Sequence, residues 1–129
     1  MYGSDITDTR SLQSCFNTNR GYMGFRVPTV PAGSDHPKGN VLLNVNARIF
    51  WEDVPFGLVI LKDIGRILGV PTPNVTRLIK WHQKFMSIKY VDEVTGEFLP
   101  GVLNDTGAPS RFGVTTPEEL VATSLSNDH

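Results

Sequence analysis

The chain has 129 residues, 40% hydrophobic and 19% charged, with 12 basic and 13 acidic side chains and a net charge of −1. That composition suits a globular domain with its own core rather than a disordered segment. Without a Lys/Arg block it argues against a nucleic-acid partner. The longest apolar run, Phe56 to Leu61, argues against a membrane span.

Taken in chain order, residues 5–17 predict a helix, with Thr7 or Asp8 as cap and Leu12, Cys15 and Phe16 at helical spacing. Cys15 is the single cysteine, so an internal disulfide is excluded, and it reads as an ordinary helix residue rather than a nucleophile. The polar opening MYGSDITDTR lacks the apolar core of a secretory signal, so a cytoplasmic protein is expected. Residues 18–40 carry several glycines and prolines and read as a long irregular connection. Residues 41–46, VLLNVN, suit a short strand or an extended entry.

Pro55 suits a first helical turn, with Glu52 and Asp53 just ahead where carboxylates complement the helix dipole. Leu58, Leu61, Ile64 and Leu68 then repeat at three and four, which predicts the buried stripe of this helix. Gly69 is the expected C-cap. Thr72-Pro73 supplies the cap and first residue of the next helix, whose stripe is Val75, Leu78, Ile79 and Phe85. Tyr90-Val91 and Phe98-Leu99 flank a turn around Gly96 and predict a small hairpin over 90–99. Residues 100–114 read as loop. Thr116-Pro117-Glu118-Glu119 has capping-box spacing and opens a last short helix, and the terminal SLSNDH is expected to fray.

Chemistry concentrates in Arg48-Ile49-Phe50-Trp51-Glu52-Asp53. An arginine can hold a substrate carboxylate in a bidentate fork, and an aspartate can orient and stabilise a protonated histidine. Spacing alone favours a plain structural role: the acids complement the helix dipole and Arg48 pairs with one of them. Trp51, Trp81 and Phe85 fit a cleft wall or a core about equally well. Arg77, Lys80 and Lys84 read as a solvated face.

Residues 48–59, RIFWEDVPFGLV, resemble the Arg-(three residues)-Glu-Asp-(Val/Ile)-Pro-(Tyr/Phe)-Gly-Leu signature of the octopine/nopaline (opine) dehydrogenase family. Gly69-Val70-Pro71-Thr72-Pro73 resembles that family's Gly-Val-x-Thr-Pro joint, and Ser110-Arg111-Phe112-Gly113-Val114 its C-terminal Arg-(Tyr/Phe)-Gly segment. The three motifs occur in the family's order, and the likeness covers about residues 20–122.

This resemblance implies a mainly α fold for residues 1–129: the helical C-terminal substrate domain of such an enzyme, with the small β-hairpin near 90–99. In the family, an amino acid and a 2-oxo acid condense to an imine that NADH or NADPH reduces. It implies that Arg48 binds the oxo-acid carboxylate and that Asp53 serves catalysis by polarising a histidine; Trp51, between them in sequence, is read as a wall of the substrate cleft. Glu52 matches the motif and reads as support for the helix start. Arg111 is assigned structure before substrate.

The family's histidine lies upstream of the matched region and maps onto none of His36, His82 and His129. These three have no metal-ligand spacing, so no metal is expected. The 129 residues contain no Gly-x-Gly-x-x-Gly, so the chain alone is expected to bind no NAD or NADP. A Rossmann domain or subunit is the expected partner. The alternative is a truncated, non-enzymatic helical module that binds small acids or pairs with a partner protein.

Overall fold

The computed structural model describes residues 3–24 and 26–125, so the last four residues of the SLSNDH end, His129 among them, lie outside the described residues. The fold is mostly helical, as expected, and among the described residues carries one two-stranded antiparallel sheet. Contacts divide the chain into two units, Met1–Asn44 and Val45–His129.

In the first unit, helix α1 spans Leu12–Thr18 and is capped by Ser11, whose side chain accepts from the Ser14 N–H. Thr7 and Asp8, the expected caps, are not used. Asp8 is engaged by Arg10 through its backbone and guanidinium N–H groups, which fixes a turn ahead of the helix. Strand β1, Thr29–Pro31, pairs antiparallel with β2, Val41–Leu43, in the register Val30 opposite Leu42. The 18–40 segment is therefore not wholly irregular. Val30-Pro31 is extended within β1, as the sterics of a residue before proline favour, and a two-stranded ribbon tolerates the donor that Pro31 lacks.

The second unit holds the core: Phe50, Val54, Val59, Ile67, Ile79, Met86, Tyr90, Val91 and Ala108. Helix α2, Arg48–Trp51, runs into a π-helical segment, Val54–Leu58, and then into α3, Val59–Ile67. Helical structure thus begins seven residues ahead of Pro55 rather than at it. A proline inside an α-helix removes an N–H and presses on the carbonyl four residues back. Here the chain responds with wider turns: the Leu58 N–H bonds the Asp53 carbonyl, and the Val59 N–H bonds that of Val54. Val54 and Val59, five residues apart, are consequently both fully buried.

The buried stripe of α3 also differs from expectation. Val59, Asp63, Gly65 and Ile67 face inward, whereas Leu61 and Leu68 are exposed. Aliphatic residues occupy several sides of this helix, so three-and-four spacing fits more than one face. The inward face is the one on which Asp63 finds partners. Helix α3 ends as predicted: Gly69 takes a left-handed φ of 66°, its N–H bonds the Arg66 carbonyl, and the Val70 N–H bonds that of Gly65.

Helix α4, Pro73–His82, starts at Pro73 with Thr72 ahead of it as expected, although the Thr72 side chain caps no backbone group. Ile79 is buried, but Leu78 and Phe85 are exposed, and Gln83 and Met86 go inward instead. Gln83 is saturated. Its Oε1 accepts from the N–H groups of Tyr90 and Val91, and its Nε2 donates to the Val91 carbonyl and to Glu93 Oε1. This amide seats the 90–99 turn, which closes on the single bridge Val91–Phe98 with Gly96 at φ 76°. Within 100–114, 3-10 turns form at Val102–Asp105 and Pro109–Phe112. Helix α5, Pro117–Leu125, opens on the predicted box: Thr116 Oγ1 accepts from the Glu119 N–H, and Glu119 Oε2 accepts from the Thr116 N–H.

Candidate functional site

The Arg48–Asp53 stretch lies where α2 gives way to the π-helical segment. Phe50 is the buried anchor, and the residues around it are turned outward. Arg48 Nη2 donates to Glu52 Oε2 one turn on, at 2.5 Å, with the arginine side chain 86% exposed. That hydrogen bond raises the Arg48 guanidinium above its ordinary value and holds the Glu52 carboxyl below its own. Glu52 is therefore the partner of Arg48, not support for a helix starting at Pro55. One guanidinium edge is committed, and Arg48 keeps further N–H donors for a planar anion.

Asp53 follows directly. Its backbone carbonyl receives the Leu58 N–H, and its exposed side chain caps no backbone group. Its charge adds to the field that keeps Arg48 protonated. Trp51 is partly exposed, and its indole N–H donates to the Val45 carbonyl at 3.0 Å, which fixes the ring plane.

The aromatic edge of α4 reaches this turn through Phe50. His82 meets the Phe50 ring edge-on at 5.3 Å between centroids, and Phe85 does so at 6.4 Å. Trp81 packs against both His82 and Phe85. His82 Nδ1 lies 2.8 Å from the Leu78 carbonyl, which sets the ring as a half-buried packing element. His36 lies in the turn between β1 and β2.

Two buried polar anchors hold this frame, Gln83 on the 90–99 turn and Asp63 on the Pro109–Phe112 turn, and the sequence reading missed both. Buried Asp63 accepts from the Ser110 N–H and hydroxyl and from Arg66. It thereby clamps the Pro109–Phe112 turn onto α3. In the motif Ser110-Arg111-Phe112-Gly113, Arg111 also makes a structural bond: its Nη1 donates to the Thr106 carbonyl. Among the described residues no three His, Cys, Asp or Glu side chains are grouped for a metal ion, and no helix is long and apolar enough to cross a membrane.

Residues 1–86 match the family described as NAD/NADP octopine/nopaline dehydrogenase, alpha-helical domain. The chain is 37% identical over 120 residues to tauropine dehydrogenase of Arabella iricolor, covering 93% of this chain and 29% of that protein. It is 33% identical over 118 residues to opine dehydrogenase of Haliotis discus hannai, covering 90% and 27%. An octopine dehydrogenase solved with NADH and L-arginine superposes with a TM-score of 0.72 at 28% identity, over 99% of this chain and 29% of that one. The chain therefore spans less than a third of the relatives it matches.

Proposed function

The chain belongs to the octopine/nopaline dehydrogenase family, and from that premise we propose that it supplies the substrate half of an opine dehydrogenase-like oxidoreductase. The reaction is the reductive condensation of an amino acid with a 2-oxo acid. The observation that carries this reading is the exposed Arg48–Glu52 pair with Asp53 beside it, within the stretch that matches the family.

Arg48 presents its remaining N–H donors to the oxo-acid carboxylate, while Glu52 holds the guanidinium in place. Asp53 accepts the N–H of a histidine supplied from outside these 129 residues and stabilises its protonated form. That histidine donates the proton needed when the carbonyl oxygen leaves as water. Trp51, with its plane fixed at Val45, walls the substrate and helps exclude bulk water, which would hydrolyse the imine.

NAD or NADP supplies the hydride when bound. It is held by a Rossmann domain or subunit, since these residues contain no Gly-x-Gly-x-x-Gly. The exposed Trp81, Phe85, Leu61 and Leu78 of the second unit support a surface that a further domain covers.

The test is made on the native polypeptide from source cells. Its mass by immunoblot, and that of anything co-purifying, identifies the cofactor half. Oxidation of NADH or NADPH is then followed with amino acid and 2-oxo acid together. Turnover that requires both acids, with a raised KM for the oxo acid in Arg48→Ala, supports the assignment. A lone 14.3 kDa chain with no oxidoreductase partner would instead favour the small-acid-binding or pairing module.

A further inference from the structure

Apart from the Arg48 turn, the second unit carries a groove of about 650 Å³ walled by α3, by the Gly69–Pro73 joint with α4, and by the 90–99 turn. Lys62 and Arg66 line it from α3, Arg77 and Lys80 from α4, against one acid, Glu97. Two of the cations border the space in front of Gly96, as Thr76 does. Lys62 Nζ donates to Thr76 Oγ1 at 3.1 Å and stands 5.3 Å from the Phe98 ring centre. Lys80, one turn beyond Thr76, donates Nζ to the Glu93 carbonyl at 2.9 Å. Both ammonium groups are thus positioned by neutral acceptors and keep further donors free.

Ion pairs among the described residues join Arg10 to Asp8, Arg48 to Glu52 and Arg66 to Asp63. None of them neutralises Lys62, Lys80 or Arg77. Asp92 feels the charge of Lys80, but one of its oxygens already accepts from the N–H groups of Val94 and Thr95. Gly96 keeps the floor open: a Cβ there would stand 2.8 Å from Thr76 Cγ2 and 3.6 Å from Lys80 Nζ.

Like charges gathered in a concavity where they outnumber the acids, here four cations against Glu97 with Asp92 near Lys80, repel one another and attract an anion. We propose that this groove is an anion site for a phosphate group, gripped by Lys62 and Lys80 with Arg77 at its rim. Several separate cations suit the many oxygens and double charge of phosphate better than a single carboxylate, which one arginine fork satisfies. The assignment gives the Gly69–Pro73 joint a use as groove wall, and it rests on none of the roles given to Arg48, Asp53 or Trp51.

The experiment is an amide NMR titration of the 129-residue chain with inorganic phosphate, at ionic strength held constant with sodium chloride. Saturable shifts at Gly69, Val70, Thr76 and Gly96 are expected. Lys62→Gln with Lys80→Gln should weaken binding at least about tenfold, as loss of charge-assisted hydrogen bonds implies. Arg77→Gln, at an exposed position whose loss breaks no internal bond, should weaken it with the spectrum otherwise unchanged.

Adenosine monophosphate run in parallel identifies the source. Tighter binding than inorganic phosphate at the same residues supports a nucleotide-borne phosphate, and weaker binding supports a free one. Shifts that fail to saturate, that chloride alone reproduces, or that survive both lysine changes and Arg77→Gln overturn the site.

Discussion

Arg48 donates to Glu52 across one turn of α2, and this bond is the main cause of the depressed Glu52 carboxyl. A carboxyl lowered on folding contributes stability above its ordinary value, and that contribution is lost as pH falls through the depressed one. The pair should therefore be intact at neutral pH and open only in acid below the ordinary glutamate range. Arg48→Ala should move the Glu52 titration, followed by carboxyl carbon NMR, upward toward the ordinary value. An unmoved midpoint would mean that Arg48 is not its cause.

Gln83 is 1% exposed and serves three backbone groups of residues 90 and 91. Gln83→Leu keeps approximate volume but strands those groups in the core. A cost on the order of 3 kcal/mol is expected, read as a lower urea midpoint at unchanged slope. Gln83→Glu should fare no better, because it buries a charge and removes the donor to the Val91 carbonyl. A midpoint within error of the parent for either variant would show that the 90–99 turn is seated by something else.

What was legible in the sequence was local chemistry. The Thr116–Glu119 box and the Gly69 stop each depend on partners within a few residues, and each stands as expected; the next helix starts at Pro73 as expected, without a capping bond from Thr72. The buried faces of α3 and α4 were not legible. Their deciding residues are polar, and the partners that make burial tolerable lie outside the helix: Ser110 is 47 residues from Asp63, and Tyr90 and Val91 lie in the turn beyond Gln83. At the candidate site, the spacing of Arg48 and Glu52 already offered the pair that forms. The π-helical segment did not show, because a proline preceded by acids also looks like a helix start.

Asp63 and Ser110 should couple strongly. Ser110→Ala removes one hydrogen bond to a fully buried carboxylate, at a cost of about 1–2 kcal/mol. Asp63→Ala costs more, because it also releases the Ser110 N–H and Arg66. The double variant should be less destabilised than the sum of the two singles, as groups sharing one network require. Strict additivity by urea unfolding would remove the clamp as an explanation for how the Pro109–Phe112 turn is held.

Gly65 sits inside α3 because the joint after it returns close to the helix. A Cβ there would lie 2.9 Å from the Val70 carbonyl oxygen and 2.5 Å from Thr72 Cγ2. The first neighbour is backbone and cannot simply rotate away. Gly65→Ala should therefore destabilise by about 1–3 kcal/mol through overpacking, despite the better helix propensity of alanine. Gly57→Ala, with no atom within 4 Å of its added Cβ, is the control and should be neutral or stabilising in the same thermal unfolding experiment.

Pro55 ties the local fold to the proposed chemistry. Pro55→Ala restores a donor for the Trp51 carbonyl and removes the ring that opposes an α-helical turn. The Leu58–Asp53 and Val59–Val54 bonds should then compete with ordinary α-helical pairing. Conversion would turn Arg48 through Asp53 by about 100° relative to α3, the rotation per residue of an α-helix. Hydrogen exchange at Leu58 and Val59 should quicken, and the complete enzyme should lose oxo-acid affinity with its helix content unchanged. If exchange and kinetics both stay at the parent values, the wide turns are fixed by burial of Val54 and Val59 rather than by the proline.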